Sequence, residues 1–304
     1  MIGLLFILIF SGLPGGACQD MGTADHPIPQ LELVQAYPID ADIPVHLSGL
    51  TLYNGHLLTV SDKHSDAIYE IEILEDSARC SIFKTICLDE YERFDFEGIT
   101  VDSNGEIYVL CEGFNRVLAV NPETPLQWKW ATPGLKPLGD GLNLMRGLNT
   151  GLEGLTFMEP DLFVACAERG ERGFISWRQK PDPEYRAINA DTSRFYNTED
   201  RNPDFTGLFA YNGKLVVVQR NNHLISVVEG YRQGEFEEVQ AWSFRHIELD
   251  PSYSYNFKKY GLAEGLAIDD QFIYLVLDHN QDARDSDPND RRALLFKFKK
   301  PTEL

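Results

Sequence analysis

The sequence lacks several features that would point directly to a function. Its 304 residues include five cysteines and no Cys-x-x-Cys pair, which argues against a zinc-binding or thiol-redox motif. Acidic residues number 47 and basic residues 27, for a formal net charge of −20. This charge repels nucleic acids and anionic lipids. The sequence also has no nucleophile elbow, no P-loop and no His-Glu-x-x-His motif.

Long apolar runs are also missing, and the only notable one is at the start of the chain. Residues 2–10 are apolar but too few to span a bilayer, and small residues ending at Ala17-Cys18 follow them. This pattern is typical of an export signal. We predict a signal peptide over residues 1–18 and an exported protein, either periplasmic, secreted or anchored to the outer membrane. Cys18 suits a lipoprotein site, although no basic residue precedes the apolar run; simple cleavage is the alternative.

What the sequence has in abundance is short β-branched or aromatic runs that flank tight turns. Five times an apolar run, a turn such as Asn54-Gly55 or Asn104-Gly105, and a second apolar run follow one another, and the copies recur every 49 to 58 residues. Asn-Gly between apolar runs indicates a β-hairpin. A long period made of strand pairs indicates a radial array. We therefore predict an all-β fold, a β-propeller with five blades counted from the repeats; six are possible if 179–205 or 230–260 hides a degenerate blade.

The repeats also set the predicted domain limits. A single propeller domain extends over residues 45–300, and residues 19–44 precede it. Within that N-terminal segment, 31–37 has the pattern of a lone strand. The last repeat has no outer strand of its own, so this strand is predicted to pair with it and close the ring, because an open ring exposes two strand edges. The long loops 132–150 and 278–290 are candidates for function.

Acidic residues stand at the open ends, or mouths, of the hairpins. Counting outward from the turn at Asn104-Gly105 places Glu97 opposite Glu112, and directly opposed like charges destabilise a sheet. Similar pairs occur in two other copies: Glu153 with Glu168, and Glu264 with Asp278. Three explanations stay open. A hard cation such as Ca²⁺ binds the pairs, one acid of each pair has a raised pKa for acid–base chemistry, or the carboxylates accept hydrogen bonds from backbone N–H groups of the neighbouring blade.

The fourth copy and the last loop depart from this pattern. Thr206 and Arg220 replace the acids in the fourth copy. Arg220 either pairs with an acid of a neighbouring blade or offers its guanidinium to a phosphate or carboxylate. The loop 278–290 begins with acids at alternate positions, but it lacks the Gly and Glu that an EF-hand requires. It is either a looser oxygen-rich site or a solvated loop.

Several of these phrases resemble one known family. The resemblance lies in Ser48-Gly49-Leu50, Phe96-Glu97-Gly98-Ile99 and Ala263-Glu264-Gly265-Leu266. The family is that of the phytase-like propellers, also called "esterase-like activity of phytase", and the related SdiA-regulated propeller proteins show similar phrases. The resemblance covers roughly residues 45–300. It implies an exported propeller that binds calcium at its acidic end and hydrolyses a phosphate or other ester. The chain shows fewer Lys and Arg residues near the acids than a phytase-like phosphate site needs.

Two functional hypotheses follow. In the first, the protein is a calcium-dependent phosphoesterase or esterase acting on a small molecule. The candidate catalytic residues are Glu97, Glu153, Glu264 and Arg220. The candidate calcium ligands are Asp62, Glu97, Glu112, Glu153, Glu168, Glu264 and Asp278. In the second, the protein is a noncatalytic module that binds a protein, glycan or small ligand.

Different linings of the mouth would favour one hypothesis or the other. Basic side chains beside the acids favour the enzyme. An aromatic lining, with Trp128, Trp130 or Tyr253, favours the binding module. In either case we expect a monomer that contacts a membrane only through a lipid on Cys18.

Overall fold

The computed structural model describes residues 27–43, 46–87, 94–123, 127–147, 150–169, 171–196, 202–231, 233–256 and 261–304. The predicted signal peptide and Cys18 lie outside these residues. Strands make up about half of the described residues and helices only a few, which confirms the all-β prediction. None of the helices in the described ranges is long and apolar enough to cross a membrane.

The described strands are listed here in chain order: β1 Leu33–Ala41, β2 Leu47–Tyr53, β3 His56–Ser61, β4 Ala67–Ile73, β5 Ala78–Thr85, β6 Phe96–Val101, β7 Ile107–Cys111, β8 Arg116–Val120, β9 Trp128–Trp130, β10 Leu152–Met158, β11 Leu162–Ala167, β12 Gly173–Arg178, β13 Tyr185–Asn189, β14 Gly207–Tyr211, β15 Lys214–Gln219, β16 Leu224–Glu229, β17 Glu237–Ser243, β18 Ala263–Ile268, β19 Phe272–Leu277 and β20 Leu294–Lys299. The described helices are single turns: α1 Lys136–Gly139, α2 Arg245–Glu248, and 3₁₀ turns at Glu112–Phe114 and Asp140–Leu142.

In three of the four described sheets, the strands pair in chain order. Three sheets have four strands each: β6 to β9, β10 to β13, and β14 to β17. The fourth sheet has eight strands in the order β18-β19-β20-β1-β5-β4-β3-β2. It consists of two four-stranded halves, joined by a short parallel pairing of Ile39–Ala41 in β1 with Ala78–Cys80 in β5.

The four-stranded units are arranged in a closed ring. The inner strands β2, β6, β10, β14 and β18 contact one another in that order, and β18 also contacts β2. β1 pairs antiparallel with β20, from Leu33 opposite Phe298 to Pro38 opposite Leu294. This confirms the prediction that an N-terminal strand closes the ring. The strand extends beyond the predicted 31–37 because it continues past β20 to reach β5. The blade count of five stays a prediction from the repeats.

Apolar side chains from neighbouring units pack between the sheets. One of these cores joins β15, β16 and β18 through Val216, Ile225 and Leu266, and another joins β3, β6 and β7 through Val60, Ile99 and Val109. Strands buried on both faces read as continuous apolar runs, as these do. The packing holds the inner strands side by side around the axis, and this fixes where their first residues meet.

The hairpin register differs from the predicted one. Phe96 pairs with Cys111 and Gly98 with Leu110, so Glu97 is an extra residue in a β-bulge and does not lie opposite Glu112. The same shift occurs at Glu153 and at Glu264. The prediction that the paired acids lie directly opposite each other was therefore wrong. A bulge places two residues opposite one and turns the extra side chain in a new direction, and residue counting from the turn cannot detect it.

Candidate functional site

An acidic cavity of about 350 Å³ lies where the hairpin mouths meet. All the predicted calcium ligands and Arg220 line it, together with one acid and two bases that the sequence analysis did not select. The lining carboxylates are Asp62, Asp95, Glu97, Glu112, Glu153, Glu168, Glu264 and Asp278, the bases are Lys63, Arg169 and Arg220, and the remainder are Ser48, Gly261 and Asn280. The hairpin mouths thus converge as predicted, even though the register is different.

The bulged glutamates reach the cavity from the inner strands. Glu97, Glu153 and Glu264 are each less than one-tenth exposed. A glycine follows each one and lets the inner strands approach closely. A Cβ added at Gly98 would lie 2.7 Å from the backbone nitrogen of Leu155, and one at Gly265 would lie 2.5 Å from the backbone carbon of Gly49. The Glu-Gly phrase therefore combines a side chain aimed into the cavity with a backbone that packs near the axis.

One side of the cavity is neutralised by Arg220. Its Nε donates to Oδ2 of Asp204 at 2.9 Å, its Nη1 to Oε1 of Glu264 at 2.5 Å, and its Nη2 to Oε1 of Glu168. Of the two alternatives for Arg220, the structure shows pairing with acids of neighbouring blades. The sequence analysis missed Asp204, which is completely buried. The only sequence feature that could have identified Asp204 is its position two residues before Thr206.

The other side of the cavity gathers three carboxylates. One oxygen each from Asp62, Asp95 and Glu97 lies within 4.8 Å of the other two, a spacing that could hold a metal ion. Ser48 donates a hydrogen bond to Oε2 of Glu97 at 2.7 Å, and Lys63 contacts Oδ2 of Asp62. Oδ1 of Asp62 is buried without a hydrogen-bond partner. The sequence analysis missed Asp95, which precedes the Phe96-Glu97-Gly98 phrase and adopts a φ of +55°.

Glu153 differs from its equivalents in the other units. Its side chain is about nine-tenths buried and lines the cavity, yet within the described ranges its carboxylate makes no hydrogen bond. Glu97 has Ser48, and Glu264 has Arg220. A buried carboxylate without a partner is costly in its ionised form. Glu153 is therefore a candidate for holding a proton or for binding a cation.

Burial and mutual repulsion shift the carboxyl pKa values upward. Burial raises the pKa of Glu97 well above its usual range, and the charges of Asp62, Glu264 and Glu112 raise it further. Burial has the same effect on the pKa of Glu153, with added repulsion from Glu97 and Glu168. The pKa of Glu264 is raised by burial to about 8, although Arg220 opposes the shift. The upward shifts favour the protonated form of these carboxyls, and a bound cation would act in the opposite direction.

The described cavity lining contains no aromatic side chain. Trp128 and Trp130 belong to the outer strand β9 and pack against Phe94. Tyr253 packs against Phe296 in an apolar core. The mouth therefore has the basic neighbours named for the enzyme hypothesis and none of the aromatic candidates named for the binding hypothesis.

The two long loops form no second cluster of acids in the part of the chain that the structure describes. In 132–150, Leu135, Leu144 and Met145 are buried against the core between neighbouring sheets. In 278–290, Asp285 accepts a hydrogen bond from Ser254, and Asp290 pairs with Arg292. The three-acid set at Asp62 is the only one found in the described part of the chain. The last loop thus contributes Asp278 and Asn280 to the acidic cavity.

Comparisons with known proteins agree with this architecture. Residues 45–299 match the family model described as "Phytase-like: Esterase-like activity of phytase". A search of curated proteins finds no match. Among solved structures, the glutaminyl cyclase of Myxococcus xanthus is similar over 91% of this chain and 100% of its own, with 10% identity and a TM-score of 0.52. A PQQ-bound aldose sugar dehydrogenase from Streptomyces coelicolor is similar over 90% of this chain and 100% of its own, with 11% identity and a TM-score of 0.49. The first likeness confirms the propeller fold and shows the fold alone.

Proposed function

Since the chain belongs to the phytase-like family, we propose that it is a calcium-dependent hydrolase of ester or phosphoester bonds, acting in the acidic cavity. One observation supports this most: Arg220 contacts Asp204, Glu168 and Glu264 on one side of the cavity, whereas on the other side Asp62, Asp95 and Glu97 bring three carboxylate oxygens within 4.8 Å of one another. That side is where an added cation would relieve the repulsion.

The donor set fits a hard cation. Asp62, Asp95 and Glu97 offer carboxylate oxygens at a spacing suited to one ion, and calcium takes six to eight oxygen ligands in irregular geometry. The unpartnered Oδ1 of Asp62 is a buried acceptor that an ion would satisfy. Bound calcium would supply positive charge that attracts an anionic substrate and stabilises charge developing in the reaction. The described residues that line this cavity include no cysteine or histidine, the side chains that favour softer metals.

Other residues in and around the cavity have separate roles in the proposed reaction. Glu153, with its raised pKa and lack of a partner, is the best placed group to give and take a proton. Ser48 orients Glu97. Lys63 and Arg169 bring positive charge to the lining, where an anionic group could dock. Arg220 holds three carboxylates in place, and a direct role in orienting the substrate stays a prediction.

The proposal is tested by separating cation binding from turnover. Calcium titration by calorimetry should show binding to the chelator-treated wild type and a loss of at least tenfold in affinity for Asp95→Asn. Glu237→Gln, an exposed change on the outer strand β17, should match the wild type. Hydrolysis of p-nitrophenyl phosphate or p-nitrophenyl acetate should require calcium. Equal turnover with calcium and with chelator, or none on any ester, would reject the proposed activity.

A second variant tests the role of Glu153. Glu153→Gln should lower kcat by about 10²–10⁴-fold, the usual contribution of a general acid or base, while calcium affinity changes only a few-fold. A normal kcat in this variant would remove Glu153 from the mechanism. Calcium binding without turnover on any ester would instead favour the noncatalytic module.

We also propose that the protein is exported, with residues 1–18 removed or Cys18 lipidated. This rests on the sequence pattern alone. Expression of the full chain followed by cell fractionation tests it, with Cys18→Ser as the variant. A membrane-bound wild type and a released variant indicate a lipid anchor, and a cytoplasmic, uncleaved protein contradicts export.

A further inference from the structure

A second cavity, of about 870 Å³, lies beside the acidic one at the point where the ring closes. Its lining comes from the end of β1, the start of β2 and the loop between β19 and β20. A volume of this size is within the range of small-molecule sites, about 300–1,000 Å³. The proposed hydrolysis uses none of the residues that line it, so this cavity requires an explanation of its own.

The two cavities share one wall, which is the turn that follows β19. Asp278 and Asn280 line the acidic cavity, whereas His279 and Gln281 line the second one. Alternate residues of the turn thus line different cavities. Asn280 and Gln281 both have positive φ, at +47° and +64°, and this conformation is uncommon for glutamine. The second cavity is therefore separate from the acidic one and receives different side chains.

The residue before β2 braces this shared turn. Nδ1 of His46 lies 3.4 Å from Oδ1 of Asp278, and Nε2 of His46 lies 3.3 Å from Nε2 of Gln281. The rings of His46 and His279 stack with their centroids 5.6 Å apart. Both histidines are buried. The wall is thus held by contacts within the protein, as expected of a preformed site.

The floor of the second cavity is apolar. Ile39, Leu47 and Ala293 line it and are each at most 5% exposed. Ile43 lies at its edge and is 41% exposed, although it is a large apolar residue. Covering such side chains with an apolar ligand removes their surface from water, which is favourable. The floor therefore suits the apolar part of a small molecule.

One positive charge at this cavity has no carboxylate partner among the described residues. Nη1 of Arg291 donates to the backbone oxygen of Gln281, and the described ion pairs do not include Arg291. The neighbouring Arg292 is engaged by Asp290 and Asp40. The chain has 47 acids and 27 bases, so a base has many potential partners. The guanidinium of Arg291 is thus placed to bind an anionic group from outside the protein.

We propose that this cavity binds a small amphipathic anion, a molecule with an apolar body and one carboxylate, sulfonate or phosphate group. The apolar body lies on Ile39, Leu47 and Ala293. The anionic group accepts hydrogen bonds from Arg291, whose planar guanidinium can hold two oxygens at once. The site is separate from the three-acid calcium site and does not depend on the proposed hydrolysis.

The lining also contains carboxylates, which act against an anion. Asp290 is neutralised by Arg292. Asp287 accepts a hydrogen bond from the backbone N–H of Asn289. Asp42 is exposed, so solvent and salt screen its charge. The competing explanation is a cavity that binds apolar molecules without regard to charge, and the two explanations differ in the role of Arg291.

Two fluorescent probes separate the apolar body from the charge. 8-Anilinonaphthalene-1-sulfonate and N-phenyl-1-naphthylamine share one aromatic framework, and only the first carries a sulfonate. The sulfonate probe should bind the purified chain saturably at one site. Arg291→Gln should weaken its affinity about tenfold, because a charge-assisted hydrogen bond is lost, and should leave the affinity of the neutral probe unchanged. The matched control is Arg79→Gln, because Arg79 is 62% exposed on β5 and pairs with Glu72; it should bind both probes like the wild type.

A second variant and a spectrum locate the site. Ala41→Trp adds a large ring at an exposed position of the lining and should weaken both probes. Asp95→Asn should lose calcium affinity and keep both probe affinities, so the two proposals can fail separately. In the unaltered chain, the sulfonate probe should shift the ring signals of His279 and leave those of the half-exposed His56 in place.

Three results would overturn the proposal. One is the absence of saturable binding of the sulfonate probe. Another is binding of this probe that Arg291→Gln and Ala41→Trp both retain, because the probe would then occupy another surface. The third is an equal loss of both probes in Arg291→Gln, because the cavity would then not select an anion.

Discussion

At the scale of single residues, Arg220 decides how charge is distributed in the cavity. Its guanidinium bonds acids from three places in the chain: Glu168 after β11, Asp204 before β14 and Glu264 in β18. All three carboxylates are buried. A fixed cation on one side stabilises those acids, whereas on the opposite side Lys63 pairs with Asp62 and Ser48 donates a hydrogen bond to Glu97. Arg220, which replaces an acid in the fourth copy of the repeat, therefore holds acids from neighbouring parts of the ring in place.

Arg220→Gln should destabilise the protein strongly. Removing one partner of a buried charge network leaves uncompensated carboxylates and costs about 3–5 kcal/mol. Urea unfolding with chelator present measures the loss in free energy of unfolding. Arg169→Gln is the matched control, because Arg169 pairs with the same Glu168 but its side chain is 39% exposed, and exposed pairs contribute about 0–1 kcal/mol. Equal losses in the two variants would contradict the role given to Arg220.

At the scale of elements, a bulge in three of the inner strands turns a hairpin into part of a site. In β6, β10 and β18 the bulge falls on the glutamate of the Glu-Gly phrase. The residue after it must be small, because neighbouring inner strands touch there. A Cβ at Gly154 would meet the Sγ atom of Cys166 at 2.8 Å and a backbone nitrogen of β14 at 3.0 Å. In the Glu-Gly dipeptide, the glutamate thus directs a carboxylate into the cavity and the glycine lets the inner strands pack closely.

Gly98→Ala should destabilise the ring. The added methyl group would lie 2.7 Å from the backbone nitrogen of Leu155 and 2.9 Å from the backbone oxygen of Glu153. Overpacking against backbone costs about 1–3 kcal/mol, and thermal unfolding would show it as a lower Tm. In Gly134→Ala the new Cβ meets nothing within 4 Å, so that control should unfold like the wild type. A Tm for Gly98→Ala equal to that of the control would show that the strands can separate without cost.

At the scale of the whole molecule, ring closure and net charge act together. The N-terminal strand β1 completes the last sheet and also contacts the first through β5. Closure brings eight carboxylates from four units around one cavity, in a chain whose formal net charge is −20. The fold therefore concentrates a charge that a cation or bound protons must offset. Stability should depend on pH for this reason.

Without calcium, the free energy of unfolding should fall as pH rises above about 4.5. Glu97 and Glu153 have raised pKa values in the folded protein. Their contribution is therefore complete below about 4.5, the ordinary glutamate pKa, and is lost as pH rises through the folded pKa. Each unit of raised pKa corresponds to about 1.4 kcal/mol. Urea unfolding at several pH values with chelator measures the slope.

Two controls sharpen that result. Calcium should flatten the slope, because it stabilises the ionised carboxylates. Glu97→Gln/Glu153→Gln should flatten it without calcium, because an amide does not titrate. A slope that rises with pH, or one that the double variant retains, would contradict the view that these buried carboxyls hold protons in the folded state.

The sequence by itself determined the strands, their pairing into hairpins and the convergence of acids at the mouths. These features depend on short-range chemistry: Asn-Gly turns, apolar runs and a repeat that places equivalent residues at equivalent positions in space. Glu97, Glu153 and Glu264 could be selected in this way. So could the strand that closes the ring, because one repeat visibly lacked an outer strand.

Only the tertiary structure decided which acids act together. The bulges at the glutamates depend on packing around the axis, so counting from the turn placed Glu97 opposite Glu112 wrongly. Asp95 and Asp204 belong to no repeat phrase and became part of the cavity through their neighbours in space. Closure brought His46 near the start of the described chain to Asp278 and His279 near its end. Contacts between residues so distant in sequence arise from the folded ring, and no local pattern specifies them.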